Sequence, residues 1–246
     1  MTVRIFFEES LQELLWEPDK QPWHAVQFPG KRSVKDLIQS LGVPHTEVGQ
    51  IRVNDQWVDF STLLREDDRV EVFPVSPGSA RIDLDNPRFL CDVHLWKLAR
   101  RLRLLGFDTL FNPQWDDPEL ADRCQEQGLI LLSRDRGLLK RNKVEQGLLI
   151  RSTDSEEQVK EVLQRWGIGK KINPFTRCLL CSGMLEQVAV DSDYFKKKLK
   201  PQVPAKVLAW CREYNCCPSC EKVFWQGSHY HKLTRKINQY LDLAAE

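Results

Sequence analysis

A chain of 246 residues, 41% of them apolar, is long enough for two or three compact domains and apolar enough to give each a core. Its apolar runs are only a few residues long, which excludes a bilayer-spanning helix, and Met1 is followed by a strand-like VRIFF and acidic residues rather than by a secretory leader. The formal net charge of +1 conceals an asymmetry: residues 1–78 carry 8 basic and 13 acidic side chains (net −5), residues 172–246 carry 11 and 7 (net +4), so the C-terminal part is the better partner for a polyanion.

The first segment reads as a small β-rich domain. VRIFF and HAVQF are strands joined by an irregular connection around Pro18 and Pro22. SVKDLIQSLGV predicts a helix with Ser33 as N-cap, Val34, Leu37, Ile38 and Leu41 on its apolar face, and Gly42 as its stop. QIRVNDQWV predicts a hairpin turning at Asn54-Asp55, and DRVEVFPV an alternating strand. This order is that of a β-grasp domain over residues 1–78. SPGSARIDLDNP is then a linker, with its non-periodic core at residues 79–87.

Residues 88–172 alternate strand and helix. RFLCD is a strand; Leu95, Leu98, Ala99, Leu102 and Leu105 follow helical spacing; Gly106 ends that helix and FDTLF begins a strand. Asp117 before Pro118 opens a second helix running to Gly128, LILLS and GLLIR are further strands, and DSEEQVKEVLQRWG is an amphipathic helix. Repeated βα units of this length imply a parallel, three-layer α/β/α sheet domain. The expected fold class is therefore multidomain, α+β followed by α/β.

From residue 173 to 246 the chain turns to cysteines, lysines and turn residues, with too little apolar content for an ordinary core. A metal staple is the usual remedy. The chain's eight cysteines read as free thiols or metal ligands of a cytoplasmic protein rather than as disulfides. Cys178-Leu-Leu-Cys181 and Cys217-Pro-Ser-Cys220 are two C-x₂-C knuckles, the spacing of a tetrahedral zinc site. Cys211 and Cys216 lie nearby, but only Cys217 and Cys220 have the knuckle spacing. Four thiolates close the coordination sphere, so this zinc is expected to hold shape and not to perform chemistry. The gap between the knuckles has room for a pair of strands.

Asp92, Asp117 and Asp135 each sit where a strand gives way to a helix. Parallel strands would bring such acids to the C-terminal edge of a sheet, the usual place for α/β sites. A divalent metal, Mg²⁺ or Mn²⁺, would relieve their repulsion, with phosphodiester hydrolysis as its natural use. Individually, Asp117 also reads as a helix cap and Asp135 as a solvated turn. Among the neighbouring cations, Arg134 and Arg136 flank Asp135 and suit phosphate contacts, as Arg100 does on the first helix, whereas Arg103 and Lys143 read as solvated surface. FWQGSHYHK offers Trp225, His229, Tyr230 and His231, which can stack unpaired bases or equally pack the zinc module.

FLCDVHLWKLARRLRLLGFDTLF, DDPELA, ILLSRDRGLL and the two knuckles ending in FWQGSHY resemble the Mut-seven C-terminal ribonuclease family, over about residues 88–232. SVKDLIQSLGVPHTEVG and VNDQWVDF resemble the ubiquitin-like domain often found ahead of that nuclease. The resemblance implies a PIN-like nuclease fold with an appended zinc ribbon and C-terminal helix, and metal-dependent RNA cleavage with Asp92, Asp117 and Asp135 as the acidic set. Asp154 is the guess for the fourth acid common in PIN-type nucleases. His94 and Trp96 depart from the family, which usually has a flexible apolar residue and a glycine there; both flank Asp92, and an indole at 96 would either narrow the site or mark reduced activity. Sulfur-carrier proteins share the β-grasp but need a free C-terminal Gly-Gly, whereas Pro77-Gly78 runs on into the linker. Two other functions remain: a non-catalytic RNA-binding protein gripping through the zinc module, and an adaptor whose β-grasp domain recruits a protein partner.

Overall fold

The computed structural model describes residues 1–17, 22–76 and 84–243. Pro18, Pro77-Gly78 and residues 79–83 of the expected linker lie outside the described residues. In chain order the elements are β1 (Thr2–Phe7), α1 (Glu9–Gln12), β2 (Trp23–Gln27), α2 (Val34–Ser40), β3 (Val48–Val53), β4 (Gln56–Val58) and β5 (Arg69–Pro74). Next come β6 (Arg88–Cys91), α3 (Trp96–Leu104), β7 (Asp108–Leu110), α4 (Asp117–Gln127), β8 (Ile130–Ser133), α5 (Arg136–Leu139), β9 (Gly147–Leu149) and α6 (Ser155–Trp166). The last are β10 (Glu186–Val188), α7 (Ala205–Leu208), β11 (Tyr214–Cys216), β12 (Val223–Phe224) and α8 (Tyr230–Leu243).

The chain divides into two compact units, residues 1–82 with 115–151 and residues 83–114 with 152–246. The first contains a five-stranded sheet of order β2-β1-β5-β3-β4, with β1 and β5 parallel and the remaining pairs antiparallel. This is the β-grasp arrangement. Its hairpin turns at Asn54 (φ 47°) and Asp55 (φ 66°), both left-handed as a two-residue hairpin requires. Ser33 caps α2 by accepting the Asp36 amide at 3.1 Å. Val34, Leu37 and Ile38 are then buried in one core with Ile5, Phe7, Val70 and Val72. Each such side chain contributes roughly 1.5–3 kcal/mol. Gly42 has φ 117°, and a Cβ there would stand 2.6 Å from the Leu14 carbonyl, so the stop at this position serves a close chain approach as well.

The same unit includes residues 115–151, where β8 and β9 pair in parallel and Leu131 and Leu132 are fully buried. Polar ties join them to the β-grasp sheet. His45 Nε2 lies 2.7 Å from the Val144 carbonyl, and its Nδ1 lies 2.8 Å from Gln39 Nε2. Since the Gln39 amide can only donate, Nδ1 accepts and the ring is the neutral Nε2–H tautomer. Burial, followed by the nearby Lys35 ammonium, lowers the His45 pKa to about 4. Buried Glu47 accepts the Leu149 amide at 2.7 Å. One expectation shifts by a residue: Asp116, not Asp117, caps α4, accepting the Glu119 amide at 2.9 Å, with Pro118 in the first turn.

In the second unit β6 and β7 are parallel, as the α/β pattern predicts. Leu98, Ala99 and Leu102 of α3 are fully buried, as is Val162 of α6. The knuckle region forms an antiparallel sheet of order β10-β11-β12. The gap between the knuckles does hold a strand pair, β10 and β11, and it also holds helical turns over residues 195–208. Those turns give the ribbon a core of its own, in which Phe195, Leu199, Val203 and Val207 pack with Tyr214 and Val223. The content of apolar residues understated this, because four of them are supplied from one short insert. Arg103 is a second correction. It is only 3% exposed and donates to the carbonyls of Thr109, Leu179 and Leu180, so it anchors the first knuckle instead of meeting solvent. Lys143 is exposed and pairs with Asp122, as expected of surface. Among the described residues no helix is long and apolar enough to cross a membrane.

Candidate metal centre and nucleic-acid interface

The two knuckles are built alike. Cys178 N–H donates to the Gly183 carbonyl (2.8 Å) and Ser182 N–H to the Cys178 carbonyl (3.0 Å). In the second knuckle Cys217 N–H donates to the Lys222 carbonyl (3.0 Å) and Glu221 N–H to the Cys217 carbonyl (2.8 Å). The residue after each second cysteine is left-handed, Ser182 at φ 69° and Glu221 at φ 56°. A non-glycine residue pays about 1–2 kcal/mol for that conformation. The turns bring the four Sγ atoms within 4.8 Å of one another, with Cys178–Cys220 at 3.5 Å and Cys181–Cys217 at 3.4 Å. Zinc with Zn–S of about 2.3 Å places tetrahedral sulfurs about 3.8 Å apart, so the set fits zinc with small adjustments. Gly183 is required beside it, because a Cβ there would stand 2.9 Å from Cys217 Sγ. Burial pushes the Cys217 thiol up, yet the amides of Cys220 and Ser219 and the Cys181 thiol outweigh it and bring it down to about 7. Burial raises the Cys181 and Cys220 thiols beside it, so of these three Cys217 is the one nearest the thiolate that a metal needs. Cys211 and Cys216 belong to the ribbon core instead.

The three aspartates occupy element starts, each with its own partners. Asp92, 4% exposed at the end of β6, accepts the His94 amide at 2.9 Å through Oδ1. Asp135 accepts the amides of Gly137 (2.6 Å) and Leu138 (3.3 Å) through Oδ1. Asp117 is half-buried in the first turn of α4, and its Oδ2 lies 3.8 Å from Arg141. Capping engages one oxygen of Asp92 and Asp135, and hard carboxylate oxygens are what Mg²⁺ and Mn²⁺ prefer. Asp154 likewise caps α6, accepting the amides of Glu156 and Glu157.

The cations divide into two groups. Arg136 donates to the Leu14 carbonyl at 2.7 Å and stands 5.0 Å from the Trp16 ring centroid, while Arg134 is exposed on the adjoining turn. Arg100 and His229 share a groove of about 440 Å³ with Trp96, Lys97, Arg101 and Lys232. Trp96 is 45% exposed, and Lys97 and Arg100 each lie 5.8 Å from its ring centroid. Arg101 and Lys236 both pair with Glu156. Sequence reasoning missed Lys232 and Lys236, although their i,i+4 spacing on α8 was a signal of one basic helix face.

The family model described as the Mut7-C RNAse domain matches residues 87–237, and that of Mut7-C ubiquitin matches residues 1–79. No curated protein matches the chain. A solved structure of a putative molybdopterin converting factor, subunit 1, from Pyrococcus furiosus is similar at 20% identity, over 30% of this chain and 97% of that one, with a TM-score of 0.25. Since the ribonuclease-domain match spans more than half of the chain and includes both knuckles, this protein belongs to the Mut7-C RNAse domain family, with a Mut7-C ubiquitin-like domain ahead of it.

Proposed function

We propose that the protein is a metal-dependent ribonuclease that hydrolyses RNA phosphodiester bonds, with Asp92, Asp117 and Asp135 as its metal-holding carboxylates. The observation that carries this reading is Asp92: an acid inside the matched ribonuclease region, nearly buried at a strand end, oriented by the His94 amide. A divalent cation, if held by these carboxylates, would supply Lewis acidity for phosphodiester hydrolysis. The chain's own part is to orient Asp92 and Asp135 through backbone amides, with Asp117 beside Arg141, and to neutralise the phosphates flanking the scissile bond. Arg100 and His229 suit the second task, sharing one exposed groove. Arg134, exposed beside Asp135, suits the same task. Arg136 gives one N–H to the Leu14 carbonyl and keeps further donors for a phosphate. The zinc set keeps a structural role, because four thiolates leave no open position.

The β-grasp domain supports a further reading as a recruiting surface. Trp57 is 61% exposed beside Phe73, and Arg52 lies against both rings, an aromatic patch suited to a protein partner. For the nuclease reading, defined RNAs incubated with Mn²⁺ should be cut, and mapping the product ends separates exonucleolytic from endonucleolytic action. Asp92→Asn keeps the capping acceptor and removes the charge, so cleavage should fall on the order of 10³-fold with folding intact. Wild-type protein that cuts no RNA with any divalent metal, or an Asp92→Asn variant that cuts as well as wild type, would sink it.

A further inference from the structure

The groove around Trp96 does not end at its cations. Through Leu104, Leu179, His229 and Leu233 it shares lining residues with a second, larger cavity of about 1010 Å³. That cavity is mostly apolar and is walled by Phe175, Trp210, Phe224, Trp225 and Tyr230. Phe175 and Tyr230 are stacked with centroids 5.0 Å apart, and Trp210 leaves 57% of its surface to solvent. Asn215 and Gln226 put amide groups at the same cavity. Trp225 packs against the ribbon core from this wall, whereas Trp210 is no part of that core, so its exposed ring is not needed to complete it.

We infer that this continuous groove binds single-stranded RNA, with an unpaired base on the aromatic wall and the adjoining phosphates along α3 and α8. Charge complementarity selects the occupant. Lys97, Arg100 and Lys232 have no carboxylate within ion-pair distance among the described residues, and Glu156 is already shared by Arg101 and Lys236. A ligand that offers flat apolar faces and, next to them, a run of negative charge is a single-stranded nucleic acid. A duplex hides its base faces in its own stack and presents only the charge. That the nucleic acid is RNA rests on the ribonuclease reading above. The nine residues of α3 span about 13 Å, and Trp96 at its first turn is four residues from Asp92. A strand entering at the aromatic wall and following the cations of α3 is therefore led towards that acid.

Fluorescently labelled oligoribonucleotides, single-stranded and as the matching duplex, test this with the full chain in the absence of added Mg²⁺ or Mn²⁺. Zinc content and melting temperature verify that each variant is folded. The single strand should bind more tightly than the duplex. Trp210→Ala, which removes a largely exposed ring, should weaken single-strand binding about tenfold or more and leave the salt dependence unchanged. Lys97→Ala with Lys232→Ala should flatten that dependence by about 0.7 in slope per charge removed. Unchanged RNA affinity in Trp210→Ala would give the aromatic cavity to a peptide or another ligand and overturn the inference. Equal binding of duplex and single strand would overturn it as well. Cleavage with Mn²⁺ is scored separately: Trp210-dependent binding without any cleavage upholds the groove and removes the nuclease, whereas cleavage with Trp210-independent binding does the reverse.

Discussion

At the zinc knuckles the backbone takes on left-handed residues at Ser182 and Glu221, and a side chain is forbidden at Gly183, so that four sulfurs can converge. At the helix starts the reverse holds: Asp92, Asp116, Asp135 and Asp154 sit in ordinary extended conformations and accept the amides that any helix start leaves open. Both sets are metal-ligand residue types at regular sequence positions. Only the first has a local structure that makes little sense without a cation. A capping aspartate has a complete explanation in the backbone, so its second oxygen must be tested by chemistry and not by placement.

The largest effect expected from breaking this contrast is at zinc. The purified chain should carry one zinc, and chelation or Cys217→Ser should open residues 173–229 to proteases. Without metal the four thiols lose the bonds that hold the knuckles together, and two left-handed turns then oppose folding with only the small ribbon core in favour. A metal-free chain whose C-terminal part resists proteolysis would show that the core alone suffices.

A smaller effect is expected where a buried titratable group is satisfied by protein atoms and no cation. The His45 pKa is lowered by burial from 6.5 to about 4. Between these values the unfolded chain binds the proton and the folded one does not, so the contribution is complete above about pH 6.5 and is lost as pH falls towards 4. It amounts to about 3 kcal/mol. Urea midpoints between pH 4 and 7.5 should show this slope, and His45→Gln should flatten it. A wild type equally stable at both ends would mean that the imidazole charges in place.

The smallest effect separates cap from ligand at Asp135. Asp135→Ala should cost about 1 kcal/mol through the lost cap, and Asp135→Asn close to nothing. Mn²⁺ should raise the melting temperature of wild type by mass action and raise that of Asp135→Asn much less. Equal shifts in both proteins would leave Asp135 as a cap alone.

The features legible in the sequence were those written in local pattern. Ser33, Gly42, Asn54-Asp55, Gly106 and Gly128 mark element ends because caps and left-handed turns need particular residues. The paired knuckles were legible because thiolate spacing is a property of one turn. Asp116 against Asp117 was ambiguous, since both precede Pro118 and only the Glu119 amide decides between them. Arg103 could not be read, because its partners are carbonyls more than 70 residues away at Leu179 and Leu180. The partners of Arg136 were hidden for a similar reason: its guanidinium meets the Leu14 carbonyl and the Trp16 ring, over 100 residues earlier. The groove joining α3 to α8 was only half visible, as the aromatics after the second knuckle and the arginines of α3 carry no common motif.

The ties from His45 to Val144 and from Glu47 to Leu149 give the ubiquitin-like segment the character of a built-in subunit. The backbone groups it satisfies belong to the strand and approach of β9, not to its own sheet. Expressed without residues 1–79, the remaining chain would leave the Leu149 amide without that buried carboxylate and the Val144 carbonyl without its imidazole donor. Cut between residues 77 and 83 after folding, the two pieces would copurify, held by contacts that no longer depend on a covalent chain.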